Sequence, residues 1–455
     1  MENPVSVGRA PGALPLIGHL LPLLRDPLGF VSSLPAHGDL VHIRLGPMPA
    51  LTVCTPELTR QILLDDSTFD KGGPFYDRLR EAVGNGLASC PHTAHRRQRR
   101  LVQPAFHRSR LASYTSVTTA EAVSVTGSWQ DGLTTDVYLQ MRNITTRSLI
   151  RAMFREFSED LDSAALTEMA DDVQMILVGM FARMVRPRLL NALPTPGGRR
   201  FRQARGRLYR TTARIISKRR SGGDGDGHDD LLSVLLNAVP PDGDRSQQLT
   251  DAEINDQLAI FIVAGIEATA ATLAWALHLL ALNPSVEQRL HAEVDRVLAG
   301  AAATHGHLSM LPYTSRVITE TLRMYPPGWL FTRIATRDTH VGGHPVSAGT
   351  TVIYSPYLIH HQPDQYAEPE RFDPDRWEDR PHPSHPAFFP FGGGARKCIG
   401  DQFSMAEAVV ALATIAARWR LEPLAGQRVR PFAATALRPA GLHMRFRARE
   451  LPTAP

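Results

Sequence analysis

A chain of 455 residues, 43% hydrophobic and 21% charged, is long enough to bury a sizeable core and reads as globular rather than disordered. Its three cysteines, Cys54, Cys90 and Cys398, exclude a disulfide framework and favour a reducing, cytoplasmic compartment. The formal charge of +5 rests almost wholly on arginine without tandem basic–aromatic motifs, so nucleic-acid binding is set aside and a basic face for an acidic redox partner is retained.

Near the N-terminus, Leu14–Leu24 is apolar but broken by Pro15, His19 and Pro22, so neither a signal peptide nor a membrane anchor is expected. DLVHIRLGPMPALTVCTP predicts two short strands around a Gly-Pro turn, and Pro56–Leu64 a short helix. Lys71–Pro91 lacks periodicity and is expected to be a long loop. In His95–Phe106, four arginines crowd into six residues, the pattern of a solvated helix face. His95 and Arg99 share one side at i, i+4 spacing, leaving Arg96, Arg97 and Arg100 to solvent or a partner. Leu111 to about Lys218 reads as mostly helical. Residues 221–230 read as a flexible acidic linker, in which calcium binding is disfavoured because the spaced ligand loop is incomplete.

Thr250-x-x-Glu253 is a capping box, and Asn283-Pro284 stops the helix it opens. The intervening run spans roughly 48 Å. Between Gln257 and Val286 its only formal charge is Glu267, within Ala264-Gly265-Ile266-Glu267-Ala268-Thr269. A lone acid in an apolar helix is paired, hydrated or functional. The length would span a membrane, but the acid and the many Ala and Thr residues favour a helix through the middle of a soluble domain. Leu311–Tyr325 predicts another helix, ending at Pro326-Pro327, with Glu320 and Arg323 one turn apart. Trp329–Arg333 runs from apolar to basic. His360-His361 and His382/His385 read as solvated loop histidines rather than a metal site. Pro369–Phe372 supplies Arg371, and Ala433–Leu437 forms a late loop tip.

Phe391–Gly400, F-G-G-G-A-R-K-C-I-G, brings one sulfur to the start of a helix-like run. Backbone N–H groups and the positive helix end there would stabilise a thiolate. From the residues alone, Cys398 is a nucleophile, a metal ligand or a small buried hydrophobe.

The spacing F-x-x-G-x-x-x-C-x-G resembles the cysteine loop of the cytochrome P-450 family of haem-thiolate monooxygenases. Ala264–Thr269 and the ordered Glu320, Arg323 and Arg371 carry the same resemblance. It implies a mainly α fold with a small β-rich portion: one large domain over residues 1–455, with a long central helix over a buried haem and peripheral tails at about 1–10 and 447–455. It implies haem b with Cys398 as axial iron ligand. Phe391 would pack near the sulfur, and His95, Arg99, Arg333 and Arg396 would hold the propionates. Glu320, Arg323 and Arg371 would form a buried structural triad. Gly265, Glu267, Ala268 and Thr269 would form the oxygen-side wall, where the family usually has threonine at the position of Ala268. Leu87, Ile262, Leu330, Phe331 and Leu437 would line the substrate pocket.

The chain has no dinucleotide fingerprint or cluster cysteines, so the resemblance also implies ferredoxin and ferredoxin reductase as electron donors, with O2 and a hydrophobic small molecule as substrates. The stretches LPLIGHLLPLLRDPLGF, HRRQRRLVQPAF and IYSPYLIH are similar to actinobacterial family members that oxidise cyclic sesquiterpenes. Fatty-acid, macrolide or steroid hydroxylation, and a non-oxygenating haem-dependent rearrangement, remain the alternatives.

Overall fold

The computed structural model describes residues 5–155, 163–185, 195–221, 230–239, 244–379 and 385–450. The expected linker therefore lies outside the described residues except at its two ends, as does His382. Among the described residues the chain is mainly helical with a small β portion. The helices run α1 Leu20–Arg25, α2 Pro27–Ser33, α3 Pro56–Leu64, α4 Gly73–Val83, α5 His92–Val102, α6 Leu111–Thr126, α7 Val137–Met153 and α8 Ser163–Val185. They continue as α9 Pro196–Ser221, α10 Leu231–Leu236, α11 Asp251–Leu282, α12 Pro284–Leu298, α13 Pro312–Met324, α14 Pro356–His360 and α15 Asp401–Ala416.

Helix α11 organises the rest. Thr250 Oγ1 accepts from the Glu253 N–H at 3.2 Å, and Glu253 Oε2 accepts from the Thr250 N–H at 2.9 Å, closing the expected capping box. The helix runs 32 residues to Leu282, and 83% of its most apolar window is buried, which makes it a core helix. Its C-terminal half packs among α6, α7, α13 and α15, and its N-terminal half among α7, α8 and α9.

The principal sheet has the order β1-β2-β3-β6-β5-β4: Val7–Arg9, Leu40–Leu45, Met48–Val53, Thr351–Tyr354, Phe331–Ala335 and Phe69–Asp70. β1 pairs parallel to β2, with Val7 opposite Leu40, so Val7–Arg9 belongs to the sheet and not to a peripheral tail. The expected loop at Lys71–Pro91 is also corrected. Gly72, Gly73 and Pro74 suggested irregular chain, but the glycines and proline only start α4, which buries Tyr76, Ala82 and Val83.

On α13, Glu320 and Arg323 are fully buried and doubly bonded, Arg323 Nε and Nη2 each donating at 2.9 and 2.8 Å. Trp377 Nε1 donates to the same carboxylate at 2.9 Å. The third cation is not Arg371, whose side chain is 63% exposed and pairs with Glu368. It is Arg376, whose Nε lies 3.4 Å from Glu320 Oε1. Two Pro-acid-Arg-aromatic runs stand five residues apart here, Pro369–Phe372 and Pro374–Trp377, and only the second turns its arginine inward. Arg371 contributes its carbonyl, which accepts from Arg323 Nη2 at 3.4 Å.

Truncating Arg323 to Ala strands the Glu320 charge in the interior and should cost about 3–5 kcal/mol. Arg371→Ala should stay within about 0.5 kcal/mol. Urea unfolding of both variants checks this; comparable losses would restore Arg371 to the buried network.

Candidate functional site

The Cys398 loop turns on a glycine that no other residue can replace. Gly394 has φ +63°, and a Cβ there would lie 2.1 Å from the Leu63 carbonyl oxygen. The Cys398 N–H donates to the Phe391 carbonyl at 2.9 Å, and the Gly400 N–H points to the sulfur just before α15 begins. The side chain opens onto an internal cavity of about 370 Å³, within the range of small-molecule sites. Burial pushes the Cys398 thiol up, while the Gly400 N–H, Arg99 and Lys71 pull the other way.

The cavity rim is crowded with cations. Arg333 donates to the hydroxyls of Tyr76 at 2.9 Å and Tyr354 at 3.2 Å. Arg99 donates to the Lys397 carbonyl at 2.6 Å, beside the cysteine. Lys71 is buried with its ammonium on the Ala88 carbonyl at 2.9 Å. Desolvation, then Arg333 and Arg396, depress its pKa well below the lysine range. His95 is buried behind this rim, off the cavity surface, and its pKa falls to about 3 through burial and the nearby Arg396, Lys71 and Arg99. It is a neutral imidazole at physiological pH.

Arg396 also lines the cavity, but its guanidinium is already engaged. It donates to Asp66 at 3.1 Å, Asp70 at 2.7 Å and the Cys90 carbonyl at 2.9 Å. It therefore clamps the cysteine loop to the chain around β4. Arg97 departs from the expected solvated set as well, bonding Glu253 and the carbonyls of Gln247 and Gln248, while Arg96 and Arg100 are exposed.

Opposite the sulfur, α11 presents Ala264, Gly265, Glu267, Ala268 and Thr269 to the cavity. Gly265 admits Leu149 of α7, since a Cβ would stand 2.9 Å from Leu149 Cδ2, and the helix is unbroken there. Glu267 Oε2 accepts from Thr435 Oγ1 at 2.9 Å, and burial raises its pKa. Thr269 lies by Glu407 of α15, a fully desolvated carboxyl whose pKa is pushed up to about 8 by burial, with the Thr269 hydroxyl partly opposing. Ala268 thus sits between the bonded Glu267–Thr435 pair and the Thr269 hydroxyl, which has no hydrogen-bond partner among the described residues, and carries no hydroxyl itself.

Of the expected pocket residues, Leu87 and Phe331 are on the wall. Ile262 is on the far side of α11, Leu330 packs into the sheet core, and Leu437 is buried with its N–H on the Pro327 carbonyl. Thr435 and Ala436 take the wall position expected of Leu437. Lys71, Phe75, Phe261 and Glu407 escaped the sequence reading, whereas Thr435 and Ala436 belong to the late loop tip it marked. Glu407 had a signal: it is an acid within the apolar run of α15, as unusual there as Glu267 in α11.

His360 is buried rather than solvated. Its Nδ1 lies 3.1 Å from the Arg323 carbonyl, and its Nε2 accepts from the Phe389 N–H at 2.9 Å. It ties α13 to the approach to the cysteine loop. No His/Cys/Asp/Glu grouping suited to a metal ion occurs among the described residues.

A sulfur facing an apolar cavity, ringed by buried cations, is now joined by sequence comparison: the profile described as Cytochrome P450 matches residues 9–444. This chain belongs to the cytochrome P450 family. It is similar to a cyclooctat-9-en-7-ol 5-monooxygenase of Streptomyces melanosporofaciens, 44% identical over 93% of this chain and 92% of that protein. It is also similar to a pentalenene oxygenase of Streptomyces avermitilis, 44% identical over 97% of each. Among solved structures, a cytochrome P450DA heme domain superposes with TM-score 0.86 at 25% identity, covering 98% of this chain and 99% of that one. The P450 cofactor is haem b, and its chemistry fits the residues present. The excess of buried cations over the carboxylates Asp66 and Asp70 suits two propionates, and Cys398 supplies a sulfur.

Because Glu407 is protonated in the fold and ionised in the unfolded chain, stability should fall as pH rises from about 4.5 towards about 8, by up to tenfold in the folding equilibrium per pH unit. Glu407→Gln should flatten that dependence in thermal unfolding from pH 5 to about 8; an unchanged pH profile would contradict a protonated Glu407.

Proposed function

We propose that this P450 monooxygenase oxidises a cyclic terpene hydrocarbon, of sesquiterpene size, by hydroxylating a methyl group and carrying the alcohol on to the aldehyde. The observation that carries the reading is the cavity wall itself. Phe75, Leu87, Leu149, Leu177, Phe261 and Phe331 give it a largely apolar surface that orients a ligand chiefly by shape. The names of the two Streptomyces relatives support a terpenoid substrate.

When bound, the haem supplies oxygen activation, drawing on the electron density of a cysteine thiolate. The chain's own residues do the rest. Cys398 would hold the iron, with the Gly400 N–H restraining charge on the sulfur. Arg333, Arg99 and Lys71 would meet the propionates, with His95 neutral behind them. Arg396 acts one step removed, fixing the cysteine loop to Asp66 and Asp70.

On the opposite side Glu267 stores a proton. Its burial favours the neutral carboxyl, and the Thr435 hydroxyl fixes the orientation of Oε2. That pair stands in for the alcohol missing at Ala268. The family requires O2 and external electrons. We assign ferredoxin and ferredoxin reductase as the donors, with docking over exposed Arg96 and Arg100 of α5, in a cytoplasmic setting.

Incubation with ferredoxin, reductase, NADPH and a panel of cyclic terpenes should yield an alcohol and then an aldehyde, the alcohol carrying label from 18O2. Product without oxygen uptake, or binding shifts with long-chain acids and none with terpenes, would overturn the reading. Ala268→Thr should change the ratio of product formed to NADPH consumed, and Thr435→Val should lower it several-fold. Unchanged ratios in both, with substrate still bound, would remove this wall from proton delivery.

A further inference from the structure

Helix α9 carries a charge pattern that the oxygenase chemistry does not use. Its 26 residues, Pro196–Ser221, contain nine arginines, one lysine and no acid. The whole chain is formally +5, so everything outside this one helix sums to −5. A general arginine bias would spread cations over the surface; this is a local concentration against an otherwise acidic chain.

Part of that charge is internally matched. Arg207 pairs with Asp172, Arg219 with Asp230 and Arg220 with Asp251. Arg205 donates to the Ala82 carbonyl at 3.1 Å and covers the Tyr209 ring. Lys218 is engaged too. Arg199, Arg200, Arg202, Arg210 and Arg214 are exposed and have no carboxylate partner among the described residues. At 100° per residue, Arg199, Arg200, Arg210 and Arg214 fall within about 100° of one face, along roughly 22 Å of helix. Gln203 and Arg207 lie on the same face, Arg207 paired with Asp172, and Ser217 follows beyond Arg214; the face carries no large apolar or aromatic side chain.

The location gives the stripe a use. The buried face of α9 packs on α8 so closely that a Cβ at Gly179 would lie 2.5 Å from the Phe201 ring. The other side of α8 supplies Leu177 and Met180 to the cavity. α9 is therefore the outer layer over one wall of an apolar site. The exposed arginines of α5 belong to a different face, beside the cysteine loop, where Arg99 bonds Lys397.

We propose that α9 docks this protein peripherally on an anionic lipid surface, with the arginine stripe against the headgroups. A plane of phosphates matches a linear row of cations without needing placed partner groups. A protein partner would be expected to find an aromatic or apolar anchor, which the stripe lacks. The negative balance of the remaining chain repels the same plane and so fixes the orientation. The attachment is electrostatic and reversible, without insertion, because the apolar side of α9 is spent on α8 and α11. An apolar ligand concentrated in lipid would then be presented near the wall formed by α8.

The test is flotation of the holoprotein with vesicles of phosphatidylglycerol and phosphatidylcholine, against phosphatidylcholine alone, at low salt. Binding should require the anionic lipid and disappear at about 0.5 M salt. Each basic residue is worth about fivefold in such binding, so Arg210→Gln/Arg214→Gln should weaken it about 25-fold. The reduced CO spectrum of the double variant should match that of the parent protein, showing that the fold and ligand loop are intact. Failure to float with anionic vesicles, or equal flotation of the double variant with loss in Arg96→Gln/Arg100→Gln instead, would overturn the proposal. So would capture by an acidic protein in the absence of any vesicle binding.

Discussion

Charge taken out of water has to be matched, and around the Cys398 cavity it is matched unevenly. Arg396 has two carboxylates, Asp66 and Asp70. Arg333 has only phenols and a carbonyl, and Lys71 only a carbonyl. The fold tolerates this because the cations face a space that a dianionic cofactor can enter. The same surplus disfavours protonation of His95 and partly offsets the burial that pushes the Cys398 thiol up, so sulfur and cations answer to one electrostatic arrangement. Binding of haem b would then contribute to stability as well as to chemistry.

That arrangement is anchored from behind by a second buried charge system. Glu320 and Arg323 hold α13 to Trp377 and Arg376, and the Arg323 carbonyl meets His360. The other nitrogen of His360 receives the Phe389 N–H, two residues before Phe391 begins the cysteine loop. A continuous set of buried hydrogen bonds thus runs from the α13 ion pair to the segment that aims Cys398. The glycines of the loop supply the shape, and this network limits how far it can move.

The fold and one side of the site were largely legible in the sequence. Capping chemistry at Thr250 and Glu253 and the stop at Asn283 gave the central helix its limits, and the cysteine spacing gave the loop. What failed turned on facing rather than on type. Arg371 and Arg376 sit in nearly identical local sequences, and only tertiary packing chooses between them. Ile262, Leu330 and Leu437 are apolar like their wall-lining neighbours, but helix rotation and strand register direct them into the core. Lys71–Pro91 hid a helix because its glycines and proline mark a start as well as a break. Glu407 and Lys71 had no legible partner, since Thr269 lies 138 residues from Glu407, and Arg333 and Arg396 lie 262 and 325 residues from Lys71.

The central claim is that Cys398, held by the loop from Phe391 to Gly400, places a thiolate on the iron of haem b. The spectrum of the reduced, CO-bound protein tests it most directly. The account predicts the red-shifted Soret band of thiolate ligation, lost in Cys398→Ala even where haem is retained. An imidazole-type band in the parent protein, or a red-shifted band that survives Cys398→Ala, would contradict it.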